Sequence, residues 1–207
     1  KGRKKQMKKI IFATGNAGKM KEIREILADL NVEILSMKEA EIFLDIDENG
    51  SSFEENAVIK AKAVAGHPNA AGAVVLADDS GLEIDALNGE PGIYSARYLG
   101  EDTSYRIKNQ NLIDRLEGVP DEKRTARFVC AIAAVFPGGE TVTTKGIIEG
   151  KIGYEERGTN GFGYDPIFYL PDMSRSTAEL LPEEKNAVSH RGNALREMKK
   201  ELMLRFG

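Results

Sequence analysis

Residues Lys8–Leu30, "KKIIFATGNAGKMKEIREILADL", decide the fold class. The apolar run over 8–13 reads as a buried strand. Residues 18–30 read as an amphipathic helix, with Met20, Ile23, Ile26, Leu27 and Leu30 at helical spacing. Between them lies "FATGNAGK", a glycine-bearing turn that ends in a lysine. Strand, turn and helix in that order make an α/β unit. The N–H groups and dipole of a helix start favour an anion, Lys19 adds a positive charge, and Thr14 and Asn16 offer hydrogen bonds. The loop is not a Walker A: Gly15 and Gly18 are too close together, and Met20 follows Lys19 where Ser or Thr belongs. It is not a dinucleotide fingerprint either. On spacing alone, an ordinary strand–helix turn with a solvated lysine fits equally.

The rest of the chain extends this unit. "NVEIL" at 31–35 predicts a second short strand, and the acidic stretch 41–51 lacks helical period. Ser52 and Glu55 form an S-x-x-E capping box that opens a helix ending at Gly66. "AVVLA" at 73–77 predicts a short buried strand with Asp78-Asp79-Ser80-Gly81 at its end, and 82–87 looks extended. A helix is expected over 103–117, capped by Thr103, with Ile107, Leu112, Ile113 and Leu116 buried. Residues 125–136 and 140–149 predict two long strands joined as a hairpin by "PGGE", the first apolar on both faces like a central strand. A loop over 158–166, a short strand "IFYL", a short helix over 174–181 and a last helix capped by Ser189 complete the pattern. The stripe of that last helix is Ala194, Leu195, Met198 and Leu202. Helices mixed with at least one hairpin argue for an α/β fold with a mixed sheet.

Bulk properties narrow the function. A chain of 207 residues suits one domain, with one lobe or two. Its 41% hydrophobic and 30% charged residues are ordinary for a globular protein. No apolar run reaches the ~20 residues of a membrane span. A net charge of −4 argues against a broad basic surface for nucleic acid. Cys130, alone in an apolar run, forms neither an internal disulfide nor a zinc site, which suits a reducing cytoplasm. "KGRKKQ" at 1–6 reads as a disordered extension or an expression remnant, a short nucleic-acid arm being the other reading. "MKKIIFATG" reads as a natural start, with the folded domain over 7–207.

Several groups are candidates for chemistry. Asp78 and Asp79 at a strand end cost solvation unless paired or bound to a cation, and alternation sends one inward and one outward. Such a carboxylate can hold Mg²⁺ or accept a proton from water, although Asp, Ser and Gly are also plain turn formers. Asp45, Asp47 and Glu48 read as a solvated loop unless they fold near Asp79. Asn56 and Lys60 are four apart on one helix face, and a partly covered lysine seeks an anion; snorkelling is the plainer reading. Phe162, flanked by glycines in "GFGYDP", is a base-stacking platform or a hydrophobic anchor. Lys185, His190 and Arg191 in "EKNAVSHRG" precede a helix, where three donors make sense if an anion or carbonyl oxygens come there.

Five stretches, "TGNAGK", "SFEENAVIKA", "ADDSGLEIDALNGEPGIYSARY", "GTNGFGYDPIF" and "EKNAVSHRGNAL", in this order, resemble the signatures of the inosine triphosphate pyrophosphatase family, also called non-canonical purine NTP pyrophosphatases or XTP/dITP diphosphatases. The resemblance runs from about Met7 to the C-terminus. It implies Mg²⁺-dependent hydrolysis of inosine, deoxyinosine and xanthosine triphosphates to the monophosphate and pyrophosphate. It also implies a homodimer and an elongated two-lobed subunit with a strongly twisted mixed sheet and the active site in the cleft. By motif, Thr14, Gly15, Asn16, Ala17, Gly18 and Lys19 would bind the triphosphate. Asp79 would be proton acceptor and metal ligand, and Ser80 would touch the substrate. Asn56 and the catalytic Lys60 would look towards the phosphates. Phe162, Gly163, Tyr164, Asp165, Lys185, His190 and Arg191 would form the base pocket. The further acidic ligand upstream of Ser52 is Asp47 or Glu48. Two alternatives stand beside this reading: a Maf-like nucleotide pyrophosphatase and a nucleotide sensor without catalysis.

Overall fold

The computed structural model describes residues 7–206; the expectation for residues 1–6 lies outside the described residues. The strands are β1 (Lys8–Phe12), β2 (Val32–Ser36), β3 (Val74–Ile84), β4 (Thr125–Val135), β5 (Thr141–Ile152) and β6 (Phe168–Tyr169). The helices are α1 (Ala17–Ile26), α2 (Phe53–Ala65), α3 (Tyr105–Arg115), α4 (Pro182–Val188) and α5 (His190–Phe206). The sheet order is β2-β1-β3-β4-β5-β6. β1 runs parallel to β2 and β3, whereas β5 and β6 are antiparallel, so the sheet is mixed as expected. The chain divides into two compact units. One holds the chain up to Asp79, Ala131–Lys145 and the chain from Ala194 on; the other holds Ser80–Cys130 and Gly146–Asn193.

In the first unit, Ile10, Ile11 and Phe12 of β1 are fully buried. Asn16 caps α1 through its side-chain oxygen, which accepts from Lys19 N–H at 3.0 Å. α1 ends at Ile26, short of the expected 30, because Leu27 closes it and Leu30 N–H folds back onto the Leu27 carbonyl. Ser52 caps α2 by accepting from Glu55 N–H. The return half of the box falls one residue early, since the Glu55 carboxylate accepts from Ser51 N–H and not from Ser52. Ala194, Leu195, Met198 and Leu202 of α5 are fully buried, as their spacing predicts.

The largest departure from the sequence reading concerns β3. It does not stop at Ala77; it runs unbroken through Asp78-Asp79-Ser80-Gly81 to Ile84. The two carboxylates therefore sit in mid-strand, not in a turn. Their partners, described below, are what let a strand carry them. The alternation argument survives the correction, for Asp78 is fully buried and Asp79 only half-buried.

In the second unit, Leu82, Ile84, Leu112, Leu116, Phe128, Ile152 and Phe168 share one apolar cluster. Ser104, not Thr103, caps α3, and the Thr103 hydroxyl instead donates to the Leu99 carbonyl. Ile107 was expected inside but is 58% exposed, while Lys108 and Asn109 are buried. The polar pair takes the inner face because each finds partners there: Lys108 Nζ donates to the Ala96 carbonyl at 2.8 Å. The helix expected over 174–181 shrinks to a single 3-10 turn at Thr177–Glu179, and α4 follows it. Lys185 thus lies in the last turn of α4, where a cation suits the helix dipole, and only His190 and Arg191 lie in the first turn of α5. Ser189 does cap α5, accepting from Gly192 N–H at 2.9 Å.

Arg124, 1% exposed, binds the second unit together. Its guanidinium donates to the carbonyls of Leu116, Ile152 and Gly153 at 2.8–2.9 Å and lies 4.1 Å from the Tyr154 ring centroid. Burial pushes its pKa down, with Tyr154 and Asp121 opposing. Arg124→Ala removes a charged donor from three buried carbonyls, of which Leu116 keeps Val119 N–H, and urea unfolding should register a loss of roughly 3–5 kcal/mol. A loss within 1 kcal/mol, by that same scale, would mean that water replaces the guanidinium.

Candidate active site

The first unit gathers the loop, the strand carboxylates and the α2 residues. Lys19 Nζ lies 3.1 Å from Asp78 Oδ2, and Asp78 has no exposed surface. β1 pairs with β3 as far as Phe12 opposite Leu76, and Ala13 N–H reaches the Leu76 carbonyl. Beyond that point Lys60 Nζ donates to the Asp78 backbone carbonyl at 2.9 Å. The same ammonium pairs with Glu48 Oε1 at 2.6 Å. Burial alone would lower the Lys60 pKa, but the charges of Asp78 and Glu48 outweigh it and raise the pKa. Lys60 stays a cation.

Asp79 faces a different set of partners. Its Oδ2 accepts from Asn56 Nδ2 at 3.1 Å. The other end of that amide, Oδ1, accepts from Gly50 N–H at 2.8 Å. Asn56, 1% exposed, therefore ties the 41–50 loop to the strand carboxylate. Gly50 is required by close approach: a Cβ there would stand 2.7 Å from Asn56 Oδ1 and 2.8 Å from Glu55 Cβ. Burial pushes Asp79 up to about 6; the Asn56 hydrogen bond and Lys60 oppose this, while Glu48 and Asp78 add to it. Of the two acidic candidates upstream, it is Glu48 whose charge reaches Asp79. Asp47 is exposed and accepts from Asn49.

The loop itself is braced by its own side chains. Thr14 Oγ1 accepts from Asn16 N–H at 3.1 Å and Asn16 Oδ1 from Lys19 N–H, so both side chains brace the turn. Met20 N–H is taken by the Asn16 carbonyl. Ala17 and Gly18 stand at the helix start, where N–H groups have no intrahelical acceptor. A side chain added at Gly15 would meet nothing within 4 Å, so there is room beside the turn.

The second unit gathers the other set. Asp165, 3% exposed, is its centre. Its Oδ2 accepts from Lys185 Nζ at 2.6 Å and from Phe162 N–H at 2.9 Å, and its Oδ1 accepts from the Thr177 hydroxyl at 2.8 Å. Gly161 and Gly163 have φ of +72° and +67°, a region that favours glycine, and a Cβ on Gly161 would collide with Asp165 Oδ2. Phe162 is thus held up between two left-handed residues. Lys185 Nζ lies 4.7 Å and Arg191 Cζ 5.5 Å from its ring centroid. Arg191 also donates to Ser80 Oγ at 3.3 Å. The His190 ring stacks on Phe128 at 4.8 Å. Tyr164 is buried and donates its hydroxyl to the Ser95 carbonyl.

The expected residues therefore fall into two groups. Thr14–Lys19, Glu48, Asn56, Lys60 and Asp79 meet in one unit; Ser80, Phe162–Asp165, Lys185, His190 and Arg191 lie in the other. Sequence reasoning missed Asp78 as the partner of Lys19, Gly50 as the seat of Asn56, and Thr177 as a support of Asp165. Gly50 carried a signal, a glycine two residues before a helix cap; the other two carried none.

The chain is an α/β protein with a mixed sheet, a capped strand–helix loop and a poised carboxylate beside lysines. Its residues 10–201 match the model of the Ham1 family. It is 48% identical over 199 residues to a dITP/XTP pyrophosphatase of Exiguobacterium sibiricum, covering 96% of this chain and 99% of that one. A HAM1 protein from Coxiella burnetii superposes with a TM-score of 0.85 at 43% identity, covering 95% of this chain and 99% of that one. The Staphylococcus aureus Ham1 protein follows at 0.83 and 42%, covering 96% and 100%. This chain belongs to the Ham1 family.

The Asp79 environment has a stability signature. Its pKa in the folded protein, about 6, exceeds the ordinary 3.8, so between those values the folded state holds more proton than the unfolded one. Stability contributed by this group falls as pH rises through that window. In chelator-treated protein, Asp79→Asn should therefore melt above the parent at pH 8, with the gap closing towards pH 4. A variant less stable than the parent at pH 8 would contradict the assignment.

Proposed function

We propose that this protein hydrolyses the triphosphates of deaminated purines (ITP, dITP and XTP) to the nucleoside monophosphate and pyrophosphate, with Mg²⁺, as a single catalytic domain over 7–207. The observation that carries the chemistry is the Glu48–Asp79 carboxylate pair beside Lys19 and Lys60. The name dITP/XTP pyrophosphatase borne by the Exiguobacterium relative supports the substrate class.

The residues fit a hard divalent cation. Asp79 and Glu48 are oxygen donors of like charge, and that proximity helps hold Asp79 at about 6, which a cation would relieve. Among the described residues no three Asp, Glu, His or Cys side chains form a closed metal cluster. Mg²⁺ is commonly held by one or two carboxylates together with substrate phosphates, so two suffice. When bound, Mg²⁺ neutralises charge on the phosphate oxygens.

The chain's own residues do the rest. Asp79 orients the attacking water and takes its proton. Asn56 holds that carboxylate in place through Nδ2. Ala17 and Gly18 N–H groups bind phosphate oxygens. Lys19 and Lys60 offset the negative charge of the departing pyrophosphate from where they stand beside Asp78 and Glu48. For the base, Phe162 offers a ring to stack on, and Lys185, whose Nζ lies beside that ring, offers ammonium donors to the 6-carbonyl of hypoxanthine or xanthine. Adenine presents an amino group there, leaving those donors unpaired, a mismatch that can reject an analogue by about 10⁴-fold. A homodimer is part of the proposal, supported by the exposed Tyr94, Leu99 and Ile107 of the second unit. A cytoplasmic site of action belongs to it too; among the described residues no helix is long and apolar enough to cross a membrane. Carboxylates beside a polyanion site argue against a sensor without catalysis.

Incubation with Mg²⁺ and a panel of triphosphates, with pyrophosphate and orthophosphate measured separately, tests this directly. Pyrophosphate released from dITP and XTP far faster than from ATP is expected; orthophosphate, or no release, would overturn it. Asp79→Asn should lose at least about 10²-fold in turnover. Lys185→Ala should reduce kcat/KM for dITP more than for ATP, and an equal fall in both would remove Lys185 from base recognition.

A further inference from the structure

The inner face of α3 carries a polar residue whose place packing alone does not explain. Asn109 is 1% exposed and stands one turn before Leu112, which belongs to the apolar cluster of the second unit. Its Nδ2 donates to Glu156 Oε1 at 2.9 Å and to the Gly163 carbonyl at 3.3 Å. Both partners only accept, so the amide orientation is fixed by chemistry: the nitrogen must face them. The consequence is that Asn109 Oδ1 is buried with no hydrogen-bond partner from the protein. An orphaned buried acceptor is destabilising, and an apolar side chain of the same size would avoid it. The amide is therefore retained for its two donated bonds.

One of those bonds lands on the segment that presents Phe162. Phe162 N–H is held by Asp165 on one side, and the Gly163 carbonyl is held by Asn109 on the other. Four residues before Asn109 on the same helix face, Tyr105 packs edge-on against Tyr164 with ring centroids 5.1 Å apart. α3 thus grips the residues immediately after Phe162 in two places. Two glycines with positive φ cannot hold such a loop by their own preferences, because glycine populates other conformations as readily. The anchor has to come from outside the loop.

We infer that Asn109 is a positioning residue for base recognition: through the Gly163 carbonyl, oriented by Glu156, it fixes the Phe162 ring in its binding pose without touching the substrate. This rests on the base-pocket reading of residues 162–165.

The test uses Asn109→Leu, with Asn109→Asp as an isosteric second variant that removes the donors. Hydrogen exchange in the ligand-free protein reads the anchor irrespective of activity: amides of residues 161–164 should exchange about tenfold faster, the worth of one lost hydrogen bond. Steady-state kinetics with dITP should show KM raised about tenfold and kcat nearly unchanged. Unchanged loop exchange in both variants overturns the anchor. Faster exchange with unchanged KM overturns the link to substrate, provided that Phe162→Ala raises KM in parallel. If Phe162→Ala leaves KM unchanged, the base-pocket reading fails first and this inference falls with it. A large loss of melting temperature in both variants, with kcat and KM both disturbed, would make Asn109 structural and overturn the proposal.

Discussion

The ion pair between Lys19 and Asp78 is the constraint on which the first unit's chemistry depends. A carboxylate with no exposed surface in the middle of a strand is untenable without a cation, and removing one partner of such a pair leaves an uncompensated charge. Lys19 supplies it from the first turn of α1, 3.1 Å away. The pair therefore pins the strand–helix loop to β3. It also occupies one face of the strand, which leaves the next carboxylate, Asp79, to the other. Lys60 completes the arrangement by capping the Asp78 carbonyl just where β1 has run out.

Given that frame, Asp79 is under opposing pressures. Burial, Glu48 and Asp78 disfavour its charge, while Asn56 and Lys60 favour it. The balance leaves a carboxylate that gives up its proton near pH 6. Such a group is unstable relative to an ordinary aspartate and well matched to proton transfer near neutrality, and cost to the fold is the common mark of a reactive site. Asn109 in the second unit leaves its buried acceptor without a partner from the protein, while its donors hold a backbone carbonyl.

Local patterns made most of the fold legible in advance. The β1–α1 unit, the Ser52 cap, the hairpin over 125–149 and the stripe of α5 each rest on a few neighbouring residues, and each is present. The mixed sheet followed from them. The misreadings arose where distant partners override local preference. Asp78-Asp79-Ser80-Gly81 looks like a turn because those residues favour turns, and only Lys19 and Lys60, 59 and 18 residues away, make it a strand. Lys108 and Asn109 lie outside the apolar stripe expected of their helix; their inward places depend on Ala96, Glu156 and Gly163. Among the site residues, the choice between Asp47 and Glu48 could not be made from two adjacent acids in an acidic loop. Of the two, Glu48 is the one that reaches Lys60, and on that ground it is the one proposed.

The account stands or falls on the state of one carboxylate. Carbon-13 NMR of the Asp79 side chain, titrated in chelator-treated protein and again with Mg²⁺, observes it directly. A midpoint near 6, lowered when Glu48 is replaced by Gln and lowered again when Mg²⁺ is added to the parent protein, is the expected result. A midpoint at the ordinary 3.8, indifferent to both changes, would contradict the account.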